Sequence, residues 1–357
     1  RSSDLDFATA PFVTDAIRKR CENEVLGYTG KPDSYYNAII NWVKQRYDLI
    51  VTKEVINFVP GIVPGIGMAM NCFTQKGDKV MIQPPVYHPF AWVTTRNERT
   101  LVINPLRWEN GMYRMDLDAF REQIKGCKLF ILCNPHNPGG VVWTEAELRA
   151  IADICYDEKV LVFSDEIHAD LTLPPHTHRP FATVSEKARM NSVTFMSPSK
   201  AFNMPGLSAS HALIFNEDLR KRFRIYMDAG ELDMGHVFAF LSVEAAYSHG
   251  TEWLDQCLAY IQGNIDFVDE FLKKHAPKIK AIRPEASYLV WLDCRELELS
   301  QKDLNEFFVD KAHLALNDGE MFGKEGIGFM RLNVASPRCI IEKAMKQLAD
   351  AYQLYIK

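Results

Sequence analysis

The sequence has 357 residues, 47% of them hydrophobic and 24% charged, with a formal net charge of −5. That length supports a large core and two domains, and the mildly acidic balance offers no basic field for nucleic acid. No apolar run reaches the length of a membrane span, and no leader peptide is expected. The eight cysteines (21, 72, 127, 133, 155, 257, 294 and 339) include no C-x-x-C pair. A reducing, cytoplasmic setting without structural zinc is therefore expected, with Cys133 and Cys155 as core residues.

In chain order, Phe7-Ala-Thr-Ala-Pro-Phe12 is an extended, proline-punctuated entry. Residues 13–25 predict a helix that Leu26-Gly-Tyr-Thr-Gly30 breaks. Asp33 or Ser34 can cap the next helix, with Ile39, Ile40, Val43 and Tyr47 on one face. Residues 55–59 predict a strand ending in Pro60-Gly-Ile-Val-Pro-Gly65, then a helix through Met70. Apolar runs follow at 79–83, 101–104, 129–133, 160–163, 193–196 and 211–215. Thr144 and Glu147 form a capping box for the helix after Gly140. Continuous apolar strands separated by helices predict an α/β fold, with a mostly parallel sheet covered on both faces. Residues 236–275 are expected to be mostly helical. The tail reads strand (287–293), helix (303–316), strand (329–334) and helix (340–355), a smaller α+β unit. The expected division is an N-terminal segment (1–24) packed with the small domain, a large domain (25–245) and a small domain (246–357).

Polar, Gly- and Pro-rich motifs follow the ends of these strands, where open α/β sheets bind their ligands. Lys200 sits in the turn after 193–196 with no other charge beside it. Burial there would favour the neutral amine that a Schiff base with an aldehyde requires; the stretch alone reads equally as a solvated loop lysine. Asp165, at the mouth of its strand, can pair with a cationic ring nitrogen, although on its own it reads first as a turn cap. Asn134-Pro-His-Asn-Pro-Gly-Gly140 has two Asn-Pro steps and predicts an extended, rigid loop that could aim an amide at a phenolate. Gly61-Ile-Val-Pro-Gly65 could offer backbone N–H groups and a helix dipole to a phosphate, and Ser197 and Ser199 could add hydroxyls. Tyr87 can stack on a planar ring or simply pack. Arg331 can fork onto a carboxylate or lie on the surface. Together these are the parts of a pyridoxal 5′-phosphate (PLP) amino-acid site.

The order Gly61-Ile-Val-Pro-Gly, Pro84-Pro-Val-Tyr, Asn134-Pro-His-Asn-Pro-Gly, Asp165-Glu-Ile-His, Ser197-Pro-Ser-Lys and Arg331-Leu-Asn resembles the fold-type I PLP enzymes of aminotransferase class I/II. More narrowly it resembles their C–S β-lyase branch, the bacterial cystathionine β-lyases and cystalysin-like enzymes. The resemblance runs from about Asp4 to the C-terminus. It implies a mostly parallel sheet of the seven-stranded type in the large domain. It also implies that Lys200 is the Schiff-base lysine, Asp165 the pyridine-nitrogen partner and Asn137 the donor to the phenolic oxygen, with His168 beside them. Tyr87 matches the stacking ring, and Gly61, Ile62, Val63, Ser197 and Ser199 match the phosphate cradle. Arg331 matches the clamp for the substrate's α-carboxylate. Tyr28 matches a residue that reaches the phosphate from the partner of a homodimer.

Three positions depart from the pattern. Ser208 stands eight residues after Lys200, where many aminotransferases carry a phosphate-binding Arg, in agreement with the lyase branch. His88 stands where that branch often has Tyr, and Arg1-Ser-Ser stands in place of an apolar lead-in. The implied activity is α,β-elimination from L-cystathionine or L-cysteine-like substrates to pyruvate, ammonia and a thiol, with Lys200 as the α-proton base. The alternative is an L-amino-acid aminotransferase, and a third reading is a PLP-binding regulatory protein without turnover.

Overall fold

The structure, a computed structural model, describes residues 4–355, so the Arg1-Ser-Ser opening lies outside the described residues. The first two-thirds of the chain supply strands β1 (Ile56–Val59), β2 (Lys79–Ile82), β3 (Thr100–Ile103), β4 (Arg107–Glu109), β5 (Met112–Arg114), β6 (Cys127–Cys133), β7 (Leu161–Asp165), β8 (Ser192–Met196) and β9 (Ser210–Leu213). Seven of them form one sheet in the order β1-β9-β8-β7-β6-β2-β3. Strands β2, β3, β6, β7 and β8 run parallel, and β9 runs against its neighbours β8 and β1. The expected mostly parallel α/β sheet is present.

The helices are α1 (Pro11–Cys21), α2 (Asp33–Tyr47), α3 (Ile62–Phe73), α4 (Pro89–Arg96), α5 (Leu117–Gln123), α6 (Glu145–Asp157), α7 (Glu186–Met190), α8 (Glu217–Ala229), α9 (Val237–His249), α10 (Thr251–His275), α11 (Gln301–Glu306) and α12 (Arg338–Tyr355). Both faces of the sheet are covered, because side chains alternate along each strand. From β6, Leu129 and Ile131 enter the layer built with α3, α4 and α8, while Phe130 and Leu132 enter the layer built with α5 and α6. Each large side chain buried in this way contributes about 1.5–3 kcal/mol. Helix α6 starts with the predicted capping box: Glu147 N donates to Thr144 Oγ1 at 3.2 Å and Thr144 N donates to Glu147 Oε2 at 2.9 Å.

A second sheet follows, β10 (Lys280–Ile282), β11 (Leu289–Asp293), β12 (Asn317–Asp318) and β13 (Phe329–Asn333), antiparallel in the order β10-β11-β13-β12 and packed with α10 and α12. The N-terminal strap crosses between the two sheets. Asp6 N donates to Ala335 O at 2.8 Å beyond β13, and Asn203 Nδ2 donates to Phe7 O at 2.6 Å near β8. Among the described residues no helix is long and apolar enough to cross a membrane.

Four local expectations differ from the structure. Helix α1 ends at Cys21, four residues early. Pro32 rather than Asp33 or Ser34 precedes α2, without a side-chain cap, because the Asp33 carboxylate already lies in the first turn and meets Lys53 at 2.6 Å. The helix expected over 303–316 stops as α11, widens into a π turn over Phe307–Lys311 and ends where His313 turns left-handed at φ 55°. The Asn134–Gly140 loop is compact rather than extended: Gly140, at φ 68°, lets its N–H return to His136 O at 2.8 Å. The β4–β5 hairpin was not anticipated, although Asn110-Gly111 announces it. Both residues have positive φ (50° and 83°), as the mirror-image turn of a two-residue hairpin needs.

Candidate active site

The carboxyl ends of β6, β7 and β8 and the first turn of α3 close around a cavity of about 200 Å³. Of the expected site residues, the wall gathers Gly61, Ile62, Val63, Tyr87, Asn137, Asp165, His168, Ser199 and Lys200. Ser197, Tyr28 and Arg331 lie off that wall.

Parallel pairing sets the floor. Asp165 is the last residue of β7, level with Cys133 on β6 and Phe195 on β8. It is 3% exposed, and Ile167 N donates to its Oδ1 at 3.1 Å. Burial pushes its carboxyl up to about 7; the Ile167 hydrogen bond works against that rise, Glu166 adds to it and Lys200 opposes it. Behind it Glu166 is fully enclosed: Ser164 Oγ and Phe181 N each donate to Oε1 at 2.8 Å, and His178 Nε2 lies 2.8 Å from Oε2. This platform was not foreseen as a unit, because its members come from separate segments.

Lys200 leaves the turn after β8, and its Nζ donates to Asp4 Oδ1 at 2.9 Å. Ser197 holds that turn in shape. Its hydroxyl donates to Ala209 O at 2.8 Å and accepts from Ser199 N at 3.1 Å, while Ser199 faces the cavity. Ser208 and Ser210 also line it. Opposite, Gly61 precedes α3 and gives it no side-chain cap, so first-turn N–H groups have no intrahelical acceptor.

Arg331, on β13, is 2% exposed and held from two sides. Its Nη1 donates to Asn137 Oδ1 at 3.0 Å, its Nη2 donates to Asn317 Oδ1 at 2.7 Å, and the guanidinium lies over the Phe322 ring at 4.7 Å. Burial lowers it to about 10. Since Asn137 uses its oxygen on Arg331, its amide nitrogen is the group that can donate elsewhere. His168 is buried, and burial, then Lys200 and Arg331, push its imidazole down to about 3, so it is neutral. Its Nδ1 has no hydrogen-bond partner among the described residues. Tyr87 stands edge-on to Phe90 at 5.7 Å. Tyr28 is 96% exposed, in a surface hollow formed by residues 26–31, 231 and 233–238. Asp4 and Asn317 carry no local motif, and nothing in the sequence pointed to either.

The site therefore offers an amine, a carboxyl poised near neutrality, an amide donor, an aromatic face, an anion cradle and a buried guanidinium. The chain is 37% identical to cystathionine beta-lyase PatB of Bacillus subtilis (strain 168), over 98% of this chain and 91% of that protein. Among solved structures it resembles cystalysin from Treponema denticola, described as containing a pyridoxal 5′-phosphate cofactor, with TM-score 0.95 and 34% identity, covering 98% of this chain and 90% of that one. It also resembles the PLP-bound C-S lyase from Staphylococcus hominis, with TM-score 0.91 and 34% identity at the same coverage. The family model for aminotransferase class I and II matches residues 1–348, and the chain belongs to that family.

Proposed function

We propose that this chain is a PLP-dependent carbon–sulfur β-lyase of cystathionine β-lyase type. It would act on L-cystathionine or a related L-cysteine conjugate and release pyruvate, ammonia and a thiol. One observation carries the reading: Lys200, Asp165, Asn137 and the uncapped start of α3 share one cavity wall, in a chain whose relatives are named for this chemistry.

The donor set fits PLP group by group. The free N–H groups at the start of α3, with Ser199, suit its phosphate. The Asn137 amide and the unmatched buried Nδ1 of His168 suit polar atoms on the ring's edge, and Tyr87 suits its face. When bound, PLP supplies an aldehyde for an amine and a ring that takes up electrons released at Cα.

The chain's own residues do the rest. Lys200 would hold the cofactor, and its freed Nζ would take the Cα proton. Asp165 would keep a proton on the ring nitrogen. Arg331 would fork onto the α-carboxylate. Ser197 supports the Lys200 turn from behind.

Supplying L-cystathionine with and without a keto acid tests the assignment. Pyruvate and thiol without keto acid are expected. Dependence on keto acid would favour the aminotransferase reading instead, which the presence of Ser208 rather than Arg on the wall argues against.

A homodimer is part of the reading, with Tyr28 of the partner subunit reaching the phosphate. The exposure of Val25, Leu26 and Tyr28 together supports it. Sedimentation at micromolar concentration checks it, and a monomer with full activity would remove it. The sheets lie within 56–213 and 280–333, which supports division into a cofactor-carrying unit (25–245) and a smaller unit (246–357). Eight unpaired cysteines support a reducing, cytoplasmic setting.

A further inference from the structure

A carboxylate that no motif announces meets Lys200 across 196 residues: Asp4 Oδ1 accepts from Lys200 Nζ at 2.9 Å. Asp4 is held there by its backbone. Its carbonyl accepts from Asn333 Nδ2 at 2.7 Å, and two residues on, Ser336 Oγ donates to Asp6 Oδ2 at 2.6 Å. Those anchors lie at the end of β13, the strand that carries Arg331.

Asp4 and Arg331 act on the same two rings with opposite sign. Burial raises the Tyr87 phenol first and Asp165 next, and burial is also the first cause for Tyr288. Asp4 adds to both rises, and Arg331 opposes both. Asp165 and His168 face Lys200 from the β7 side. Asp165, however, is at the floor, with Oδ1 committed to Ile167 N. Asp4 is a carboxylate in direct hydrogen-bond contact with the lysine nitrogen.

We propose that Asp4 is a positioning residue that holds ammonium groups at this site. It holds that of Lys200 when the lysine nitrogen is unattached, and the α-ammonium of the incoming amino acid when Lys200 is engaged with the cofactor. An ammonium leaving water for a half-buried pocket needs a counter-charge that also accepts its hydrogen bonds. With Arg331 on the carboxylate, Asp4 makes the pocket read both ends of a zwitterion. The inference rests on the amino-acid chemistry proposed for Lys200.

Calorimetric titration of the holoenzyme with L-alanine, which has no leaving group on Cβ, and with propionate, its deaminated counterpart, tests it. Asp4→Asn is expected to weaken L-alanine about tenfold while propionate binds as well or better, and Asp4→Glu should recover part of the loss. Equal weakening of both ligands would reduce Asp4 to a structural strap and overturn the inference, as would unchanged L-alanine binding. Ser336→Ala loosens the strap with the carboxylate in place and should keep the preference for L-alanine; losing it as fully as Asp4→Asn also overturns the inference. Pyruvate release from L-cystathionine by the wild-type holoenzyme checks the activity separately. A wild-type that turns over, beside an Asp4→Asn variant that shows no selective loss, sinks this inference alone.

Discussion

Arg331 and Asn137 meet across 194 residues, Nη1 donating to Oδ1 at 3.0 Å, so the guanidinium of the small sheet and the amide beside the large sheet form one hydrogen-bonded unit. Asn317 holds the other arm of the fork. A lysine is a point charge without that fork. Arg331→Lys should therefore lose carboxylate binding and also release Asn137. The expected result is a roughly 100-fold fall in kcat/KM for L-cystathionine, about 2.7 kcal/mol, carried mainly by KM. Initial-rate kinetics of pyruvate release measure it; an unchanged KM would remove Arg331 from the substrate site.

Asp165 gives a pH signature. Burial raises its carboxyl from 3.8 to about 7 in the folded chain. Between those values the folded, cofactor-free protein binds more protons than the unfolded chain, so this group lowers stability as pH rises through that window. Asp165→Asn removes the buried charge. The cofactor-free variant should resist urea better than wild type above pH 7, with the gain shrinking as pH falls toward 3.8. The same variant should bind PLP at least about tenfold more weakly, because a neutral amide cannot balance a ring cation. Urea midpoints across pH and fluorescence titration of the cofactor read the two effects.

Lys200→Ala should leave a folded protein without pyruvate release and without the visible absorbance of lysine-bound cofactor. Lys200 meets Asp4 at a half-buried position outside the core, so circular dichroism should be unchanged. Retained pyruvate release would move the chemistry to another residue.

Ser197 separates a structural from a ligand role. Its hydroxyl already bonds Ala209 O and Ser199 N. Ser197→Ala leaves both buried groups without it, at about 1–3 kcal/mol. The denaturation midpoint should fall even without cofactor; a hydroxyl that served phosphate alone would leave the cofactor-free midpoint where it was.

The large sheet was legible because each strand is a continuous apolar run ended by a polar turn. Leu129–Cys133 and Val193–Met196 could be placed from the sequence to within two residues. Lys200, Asp165 and Asn137 come together on one cavity wall for the same reason, since each lies at or just past a strand end. Helix ends were less legible: α11 gives way to a π turn after Glu306 and the coil ends before a left-handed His313, neither of which periodicity marks. Asp4 and Asn317 were invisible because their partners, Lys200 and Arg331, are set by tertiary folding. Ser197 and Ser199 could not be told apart from the sequence, because spacing along a turn does not say which hydroxyl points inward.

Gly65 tests how closely α3 must sit on the sheet to present its first turn. A Cβ there would lie 2.9 Å from Val59 Cγ2 and 3.1 Å from Phe195 Cε1, both in buried strands. Neither a β-branched side chain nor a packed ring can give way cheaply, so α3 itself must shift. Gly65→Ala should cost about 1–3 kcal/mol. It should weaken PLP binding as well, because Gly61 and Ile62 move with the helix. Gly67 is the control on the same helix: its Cβ would meet Val93 Cγ2 at 3.3 Å and then the Asn97 amide at 3.9 Å. The gain of about 1 kcal/mol from Gly to Ala within a helix offsets that lighter contact. Gly67→Ala should accordingly stay near wild type in both urea midpoint and cofactor affinity. Equal losses at the two glycines would mean that helix flexibility, rather than the seating of α3 on β1 and β8, governs the cradle.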